Sequence, residues 1–226
     1  MPPAKPKPDL TAALRRAIIG GELMPNERLI ELDLAARFRS NRVQVRAALS
    51  KLEGEGLVVS APNRGARVRV VTAQEALEIT EARAAMEMLV AAKAAERATA
   101  EDIERLDAVL GRMRVAVAAG DLIAYSDLNG ALHVEIRRIA RHATAIRILA
   151  LLNSQVIRFQ FRAILIPGRA QRSFAEHEVI VAAIRAHDPE RARAAMAGHL
   201  AHVVEALREA IAAPRLRDAA SDLAFV

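Results

Sequence analysis

The chain has 226 residues, 53% of them apolar and 27% charged. That balance excludes a disordered chain and fits one or two domains. It contains no Cys, which excludes a disulfide framework, a Cys-ligated zinc finger, an iron–sulfur cluster and a Cys nucleophile, and no apolar run approaches the ~18 residues of a membrane span. The net charge of +6 lies wholly in residues 1–72, with 13 Lys and Arg against 7 Asp and Glu, whereas residues 73–226 hold 20 of each and all six His. The asymmetry reads as a basic module that meets an anion, joined to a neutral module with another task. Alanine at 49 positions against six aromatic residues favours helix over sheet.

The opening MPPAKPKPDL has no apolar stretch behind its lysines, so residues 1–8 read as a loose tail and not as a signal peptide, and a cytoplasmic protein is expected. Residues 9–72 form the first expected domain. Asp9 caps a helix over 10–19 with Leu10, Leu14, Ile18 and Ile19 as its inner stripe, stopped by Gly20-Gly21. A short helix over 30–38 turns Leu32, Ala35 and Phe38 inward. After a break at Arg39-Ser40-Asn41, a third helix over 42–53 has Val45, Leu49 and Leu52 on its core face. Two short strands follow, 57–59 and 66–70, joined by a turn at Pro62-Asn63-Arg64-Gly65.

The strand signal then stops. Thr72-x-x-Glu75 is a capping box opening a helix over 73–98. Further helices are predicted over 100–118, 121–140, 143–165, 170–186 and 189–212, with starts at Thr99/Asp102, Asp121 and Asp188-Pro189. Six amphipathic helices on short loops predict an all-α antiparallel bundle over 73–213, with a tail over 214–226. The fold class is therefore mainly α, a winged helix-turn-helix with a small β-hairpin followed by a helical bundle.

In a winged helix-turn-helix the second helix of the pair shows apolar residues to the core and cations to a DNA groove. Arg42 and Arg46 stand at i, i+4 near the start of the third helix, on a face that Val45, Leu49 and Leu52 leave free. Asn41 and Gln44 add amides able to read adenine, and Arg bonds guanine or phosphate. Arg64 with Gly65 forms the wing tip, and Arg67 and Arg69 alternate along the last strand within reach of phosphate. The segments LRRAIIGGELMPNERLIELDLAARF, RVQVRAALSKLEGEGLV and PNRGARV resemble the DNA-binding domain of the GntR family of bacterial transcription regulators. The resemblance implies that Arg42 and Arg46 are the DNA-contacting arginines of the recognition helix, that Asn41, Val43 and Gln44 flank them, and that Arg64 and Gly65 form the wing tip. Three positions depart from the family pattern: Asn26 and Arg39 stand where Gly is common, and Gln44 where Pro is common. Asn accepts positive φ, and Arg does so less readily.

In the neutral module Asn129 and His133 share a helical face, and His177 and His199 lie on the fifth and sixth helices of the bundle. By spacing alone these are either scattered polar residues or a divalent metal site. LNGALHVEIRRIARHATAIRIL and EHEVIVAAIRAHDPERARAAMAGHL resemble segments of the FadR-type C-terminal domain, FCD. That resemblance implies a divalent metal (Zn, Ni or Mn) held by Asn129, His133, His177 and His199. A neutral amide at position 129 in place of the family's carboxylate weakens such a site. Arg83 either binds an effector carboxylate or pairs with Glu87. Arg158 and Arg162, also i, i+4, face either a cavity or solvent. His202, one turn from His199, is a decoy or a neighbour of the site, and Glu135 and Glu176 adjoin site residues in sequence but point about 100° away along their helices.

The expectation is a homodimeric, sequence-specific transcription regulator, more often a repressor in such families. Its partners are a palindromic or near-palindromic duplex operator and a small organic acid sensed through the metal, with no membrane partner. The rivals are a metal-dependent enzyme using the three His, and a helical scaffold that binds nucleic acid without sequence choice.

Overall fold

The computed structural model describes residues 9–61 and 64–212, and for 157–162 the backbone alone. It divides into two compact units, residues 1–72 and 73–226.

The first unit contains α1 (Leu10–Ile19), β1 (Arg28–Leu29), α2 (Glu31–Arg37), α3 (Arg42–Gly54), β2 (Val58–Ala61) and β3 (Gly65–Val68). The Asp9 carboxylate caps α1 by accepting from the Thr11 amide at 3.0 Å. Leu14, Ala17 and Ile18 are buried on α1, while Leu10 and Ile19 are half-buried at the edge of that stripe. They meet Leu23, Leu34, Val45, Leu49, Leu52, Leu57, Val58 and Val68 in one core. Val45 and Leu52 are wholly enclosed, so α3 is fixed from its inner side and its opposite face is left to solvent.

Two expectations change here. The hairpin is a three-stranded antiparallel sheet in the order β1-β3-β2. Its extra strand, β1, pairs Arg28 with Arg67 and Leu29 with Ala66. The Asn26 and Val68 amides bracket it, donating to the Val68 and Glu27 carbonyls at 2.9 and 3.0 Å. Two residues are too few to show a period-2 pattern. In α2, Leu32 points outward, 65% exposed, and Leu34 is buried in its place, while Ala35 is buried and Phe38, the C-cap, half-buried as expected. Positions 32 and 34 are about 200° apart on a helix, so a helix this short buries one and not both. Packing against α3 selects Leu34.

The turn between α2 and α3 keeps a left-handed residue although no Gly is present. Arg39 has φ 49°, with the Ser40 amide donating to the Ala35 carbonyl at 2.9 Å to close the helix end. Asn26 likewise has φ 66°.

The second unit is all helix: α4 (Ala73–Arg97), α5 (Ala100–Ala119), α6 (Leu122–Ala140), α7 (Ala143–Ile164), α8 (Arg169–Arg185) and α9 (Pro189–Ala212), joined by connections of two to four residues. Thr99 and Asp102 form a reciprocal capping box on α5. The Asp121 carboxylate caps α6, and Asp188 accepts from the Arg191 amide at 2.9 Å on α9. α4 packs against α6, α7, α8 and α9. Ala91, Ala94 and Ala95 on α4 are fully enclosed, which lets neighbouring helices approach closely. Leu106, Met113, Leu132, Ile136, Ile180 and Met196 fill the interior between them. Among the described residues no helix is long and apolar enough to cross a membrane.

The strained Arg39 yields a stability prediction. Arg39→Gly removes a left-handed penalty of ~1 kcal/mol, of which glycine's greater unfolded-state entropy returns a part. The amides of α2 and α3 should exchange a few-fold more slowly in the variant. Faster exchange would show that the Arg39 side chain contributes more than its backbone conformation removes.

Candidate functional site

The first candidate is the outer face of α3. Asn41 is the N-cap of this helix, its Oδ1 accepting from the Gln44 amide at 2.9 Å, so its side chain serves the helix start. Arg42, Val43, Gln44 and Arg46 are all exposed beside it, Val43 to 78%. Ser40 donates to the Gln44 side-chain carbonyl at 2.7 Å, which leaves the Gln44 amide N–H groups turned outward. Glu31, at the start of α2, reaches this face from below. Its two oxygens accept from Arg46 Nε and Nη2 at 2.8 and 2.9 Å, and one of them from Arg42 Nη2 at 3.4 Å. The bond from Arg46 holds the Glu31 carboxyl below its usual range. Glu31 was not singled out by sequence. Its only signal was its position in Leu29-x-Glu31-x-x-Leu34-Ala35.

The wing has Arg64 exposed and Gly65 at φ 74°, a conformation that favours glycine. Pro62 and Asn63 of that turn lie outside the described residues. Arg67 donates to the Asn26 carbonyl at 2.9 Å, tying the wing to the turn before β1, and Arg69 donates to the Gly56 carbonyl at 3.5 Å.

The second candidate is inside the bundle. His133 on α6, His177 on α8 and His199 on α9 are buried, and one ligand nitrogen of each lies within 4.8 Å of the others. The Nε2 atoms of His133 and His177 are 3.3 Å apart. The ring centroids are 4.4 to 5.5 Å apart. His199 Nδ1 bonds Glu176 at 2.7 Å, so its Nε2 is the nitrogen left for the cluster. His133 Nδ1 lies 3.8 Å from Glu87, itself wholly buried and paired with Arg137 and, at 3.7 Å, with Arg83. The Nδ1 atoms of His133 and His177 are buried with no hydrogen-bond partner among the described residues.

Desolvation dominates the electrostatics. Burial drives His177 well below its ordinary value of 6.5, helped by the other two rings. Burial drives His199 down to about 4 against the opposing pull of Glu176. Burial pushes the Glu87 carboxyl up, but the His133 ring and Arg137 outweigh it and hold it well below the carboxylate range. Burial lowers Arg83 to about 10. Two of the imidazoles are thus held neutral, the form that ligates a metal. Glu176 also accepts from Arg169 at 3.0 and 3.1 Å and from His202 at 3.0 Å.

Among the sequence candidates, Asn129 is half-buried on α6 one turn before His133. Arg83 faces inward and pairs with Glu87, as one of its two readings had it. Arg158 and Arg162 lie within 157–162, whose side chains are outside the described residues. His202 is a neighbour of the site through Glu176. Glu176 needs correcting. It follows the helical geometry away from His177 but meets His199 and His202, because α9 packs along that side of α8. Glu135, half-buried, pairs with Arg105 and Arg138 and with none of the three His. His187, in the left-handed residue past α8, bonds the Ala95 carbonyl at 3.0 Å, and His142 accepts from the Ala145 amide at 3.2 Å.

A winged helix-turn-helix with an exposed arginine face, followed by an all-α domain with a buried polar centre, defines a class of DNA-binding regulators. Residues 7–68 match the gntR family of bacterial regulatory proteins, and residues 78–202 match the FCD domain. The chain belongs to the gntR family, in the branch that carries an FCD domain. Over 196 residues it is 26% identical to the HTH-type transcriptional repressor RspR of Escherichia coli (strain K12), covering 87% of this chain and 86% of that protein. It is 28% identical over 211 residues to the HTH-type transcriptional regulator LutR of Bacillus subtilis (strain 168), covering 84% and 95%. Among solved structures it shares its fold with Escherichia coli McbR/YncC, TM-score 0.72 at 22% identity, over 88% of this chain and 95% of that one. The chain is a DNA-binding transcription regulator and not an enzyme, which removes the rival built on three-His catalysis.

The buried imidazoles predict a pH dependence. The unfolded chain binds protons that the metal-free folded chain refuses, at His199 between 6.5 and about 4 and at His177 from 6.5 downward. Stability therefore rises with pH across that window and is lost as pH falls through it. In the metal-free protein, imidazole NMR titration should show both rings neutral at pH 6. The unfolding midpoint of the second unit should fall from pH 7 to pH 5. Two rings titrating near 6.5 would remove the desolvated centre.

Proposed function

We propose that this regulator is a homodimeric repressor whose FCD domain senses a small organic acid through a divalent ion at His133, His177 and His199, with Asn129 offering a fourth, neutral oxygen. The observation that carries this reading is three buried imidazole nitrogens converging in one place, two of them on rings held neutral and two on rings backed by a carboxylate. Buried carboxylates that orient ligating imidazoles recur in metal sites and raise ligand basicity. The Nε2 atoms of His133 and His177 lie 3.3 Å apart with His133 Nδ1 turned toward Glu87, which supports a centre on the Nε2 side of both rings. When bound, the ion supplies a Lewis-acidic position for an anionic oxygen. Imidazole and amide ligands bring no negative charge to a divalent ion, and a carboxylate from a small organic acid completes such a shell. Arg83, buried beside Glu87, is a candidate for holding the far end of that acid.

On the DNA side, Arg42, Val43, Gln44 and Arg46 face the major groove, and Arg64 and Gly65 bring the wing to the adjacent backbone. A homodimer reading two half-sites implies a palindromic or near-palindromic operator. Two relatives carry the description repressor, RspR and GlaR of Escherichia coli, in support of repression. Effector control requires that the acid bind one of two states of the dimer better than the other.

Native mass spectrometry of the chain with added zinc, nickel or manganese tests the centre. The expected result is a dimer with one ion per chain. His177→Ala, which leaves Arg46 and the wing untouched, should lose the ion and retain DNA binding. Organic acids added to the metal-loaded dimer on duplex DNA should change its affinity ~5- to 150-fold, the usual span of such coupling. A chain that takes up none of the three ions overturns the metal reading.

A further inference from the structure

The outer face of α3 carries a carboxylate where an anion-binding surface has least use for one. Glu31 lies between Arg42 and Arg46, its side chain 24% exposed beneath guanidinium groups that are 64% and 71% exposed. A negative charge here repels the phosphates that supply most non-specific DNA affinity. It also reduces the trio's net charge from two to one. Any gain it brings to recognition then lies in what it does to the arginines.

The two are held differently. Arg46 gives Glu31 its side edge, Nε and Nη2, in a two-point grip at 2.8 and 2.9 Å. A planar guanidinium gripped along that edge has its orientation fixed. Its end edge, Nη1 with the second N–H of Nη2, then points away from α2. Two parallel N–H groups of that kind match the O6 and N7 acceptors of guanine in the major groove. Arg42 gives Glu31 one N–H at 3.4 Å, a single loose contact that leaves the side chain its rotamers.

We infer that Glu31 is a positioning residue for sequence recognition: it orders Arg46 as the base-reading arginine and leaves Arg42 to follow the phosphate backbone. The inference rests on the reading that this face of α3 meets DNA, and it deepens that reading by giving its two arginines unequal roles. An exposed arginine otherwise loses about 2 kcal/mol of side-chain entropy on being fixed against a base, and Glu31 removes part of that loss before DNA arrives. The same charge lowers attraction to every other sequence. Both effects raise the ratio of specific to random binding, at some loss of total affinity.

The test uses the full-length protein and two duplexes at matched salt. One is the sequence that the wild-type protein selects from a random duplex library, and the other is a scrambled duplex of the same composition. Glu31→Gln should bind the scrambled duplex a few-fold more tightly, and its ratio of selected to scrambled affinity should fall roughly 10-fold. A library selected with Glu31→Gln should lose its guanine preference at one position per half-site. Arg46→Lys, which keeps the charge without the fork, should lose the same preference, and adding Glu31→Gln to it should change the ratio little further. Arg42→Ala should weaken both duplexes alike and make the salt dependence shallower. Glu31 also stands in the first turn of α2, where a carboxylate favours the helix. Glu31→Asp keeps that charge on a shorter arm, and a ratio between those of wild type and Glu31→Gln is expected. A Glu31→Gln protein that tightens on both duplexes in equal proportion, with its base preference intact, overturns the inference. If Arg42→Ala and Arg46→Ala both leave selected-duplex affinity unchanged, the DNA-facing reading of α3 fails.

Discussion

The second unit is organised around the removal of three imidazole rings from water at one point. A ring nitrogen buried without a partner costs about 1–3 kcal/mol, so such a cluster persists only where the surrounding packing over-determines it. Here α6, α8 and α9 each contribute one ring, and none can shift by a turn without separating it from the others. The rest of the interior fits around that requirement. Small residues on α4 let the helices close in, and Leu132 and Ile136 of α6, Ile180 of α8 and Met196 of α9 fill the interior. Tyr125, wholly enclosed two turns before His133, has its hydroxyl pushed up to about 12 by burial and stays a neutral phenol.

The first unit answers to the opposite constraint. Its chemistry must stay wet and exposed, so its core is confined to one side of α3. Val45, Ala48, Leu49 and Leu52 fill that side, and polar residues and Val43 occupy the other. The surface carries the chain's whole charge excess, which draws it to polyanions at long range. Long-range attraction does not choose a sequence. Two side chains on this face are held by neighbouring groups, Asn41 by its cap on α3 and Arg46 by Glu31.

Long periodic elements were legible in the sequence, and contacts between elements were not. The nine described helices announce themselves through apolar spacing and through caps such as Asp9, Thr99 with Asp102, and Asp121, because those signals are local. β1 escaped because two residues carry no period and its pairing with β3 depends on partners some 40 positions away. Leu32 was misjudged because a seven-residue helix offers two apolar faces and only the packing on α3 chooses between them. The three His were legible through resemblance and not through spacing, since 44 and 22 residues separate them along the chain. Glu31 and Glu176 have no role legible in the sequence, and Glu87 has only that of an i, i+4 partner to Arg83, a pair the structure contains. The contact that carries each of the three to a residue of another helix lies beyond any i, i+4 rule.

That shared feature says how both sites are built. A side chain's own helix fixes where its Cα stands but leaves its terminal group several rotamers, and an i, i+4 partner adds only about 0.2–0.5 kcal/mol of restraint. A carboxylate arriving from a neighbouring helix restrains the far end of the side chain instead. Glu31 of α2 does this to Arg46 of α3, Glu87 of α4 approaches His133 of α6, and Glu176 of α8 bonds His199 of α9. Each orientation then exists only while two helices remain packed. Local unfolding of either helix returns the functional group to its full set of rotamers, so order at both sites is coupled to tertiary packing. A ligand that prefers the ordered rings stabilises the packed helices by the same free energy that it gains from finding them ordered. In this architecture the acid on the next helix is what gives a guanidinium or imidazole side chain a defined orientation.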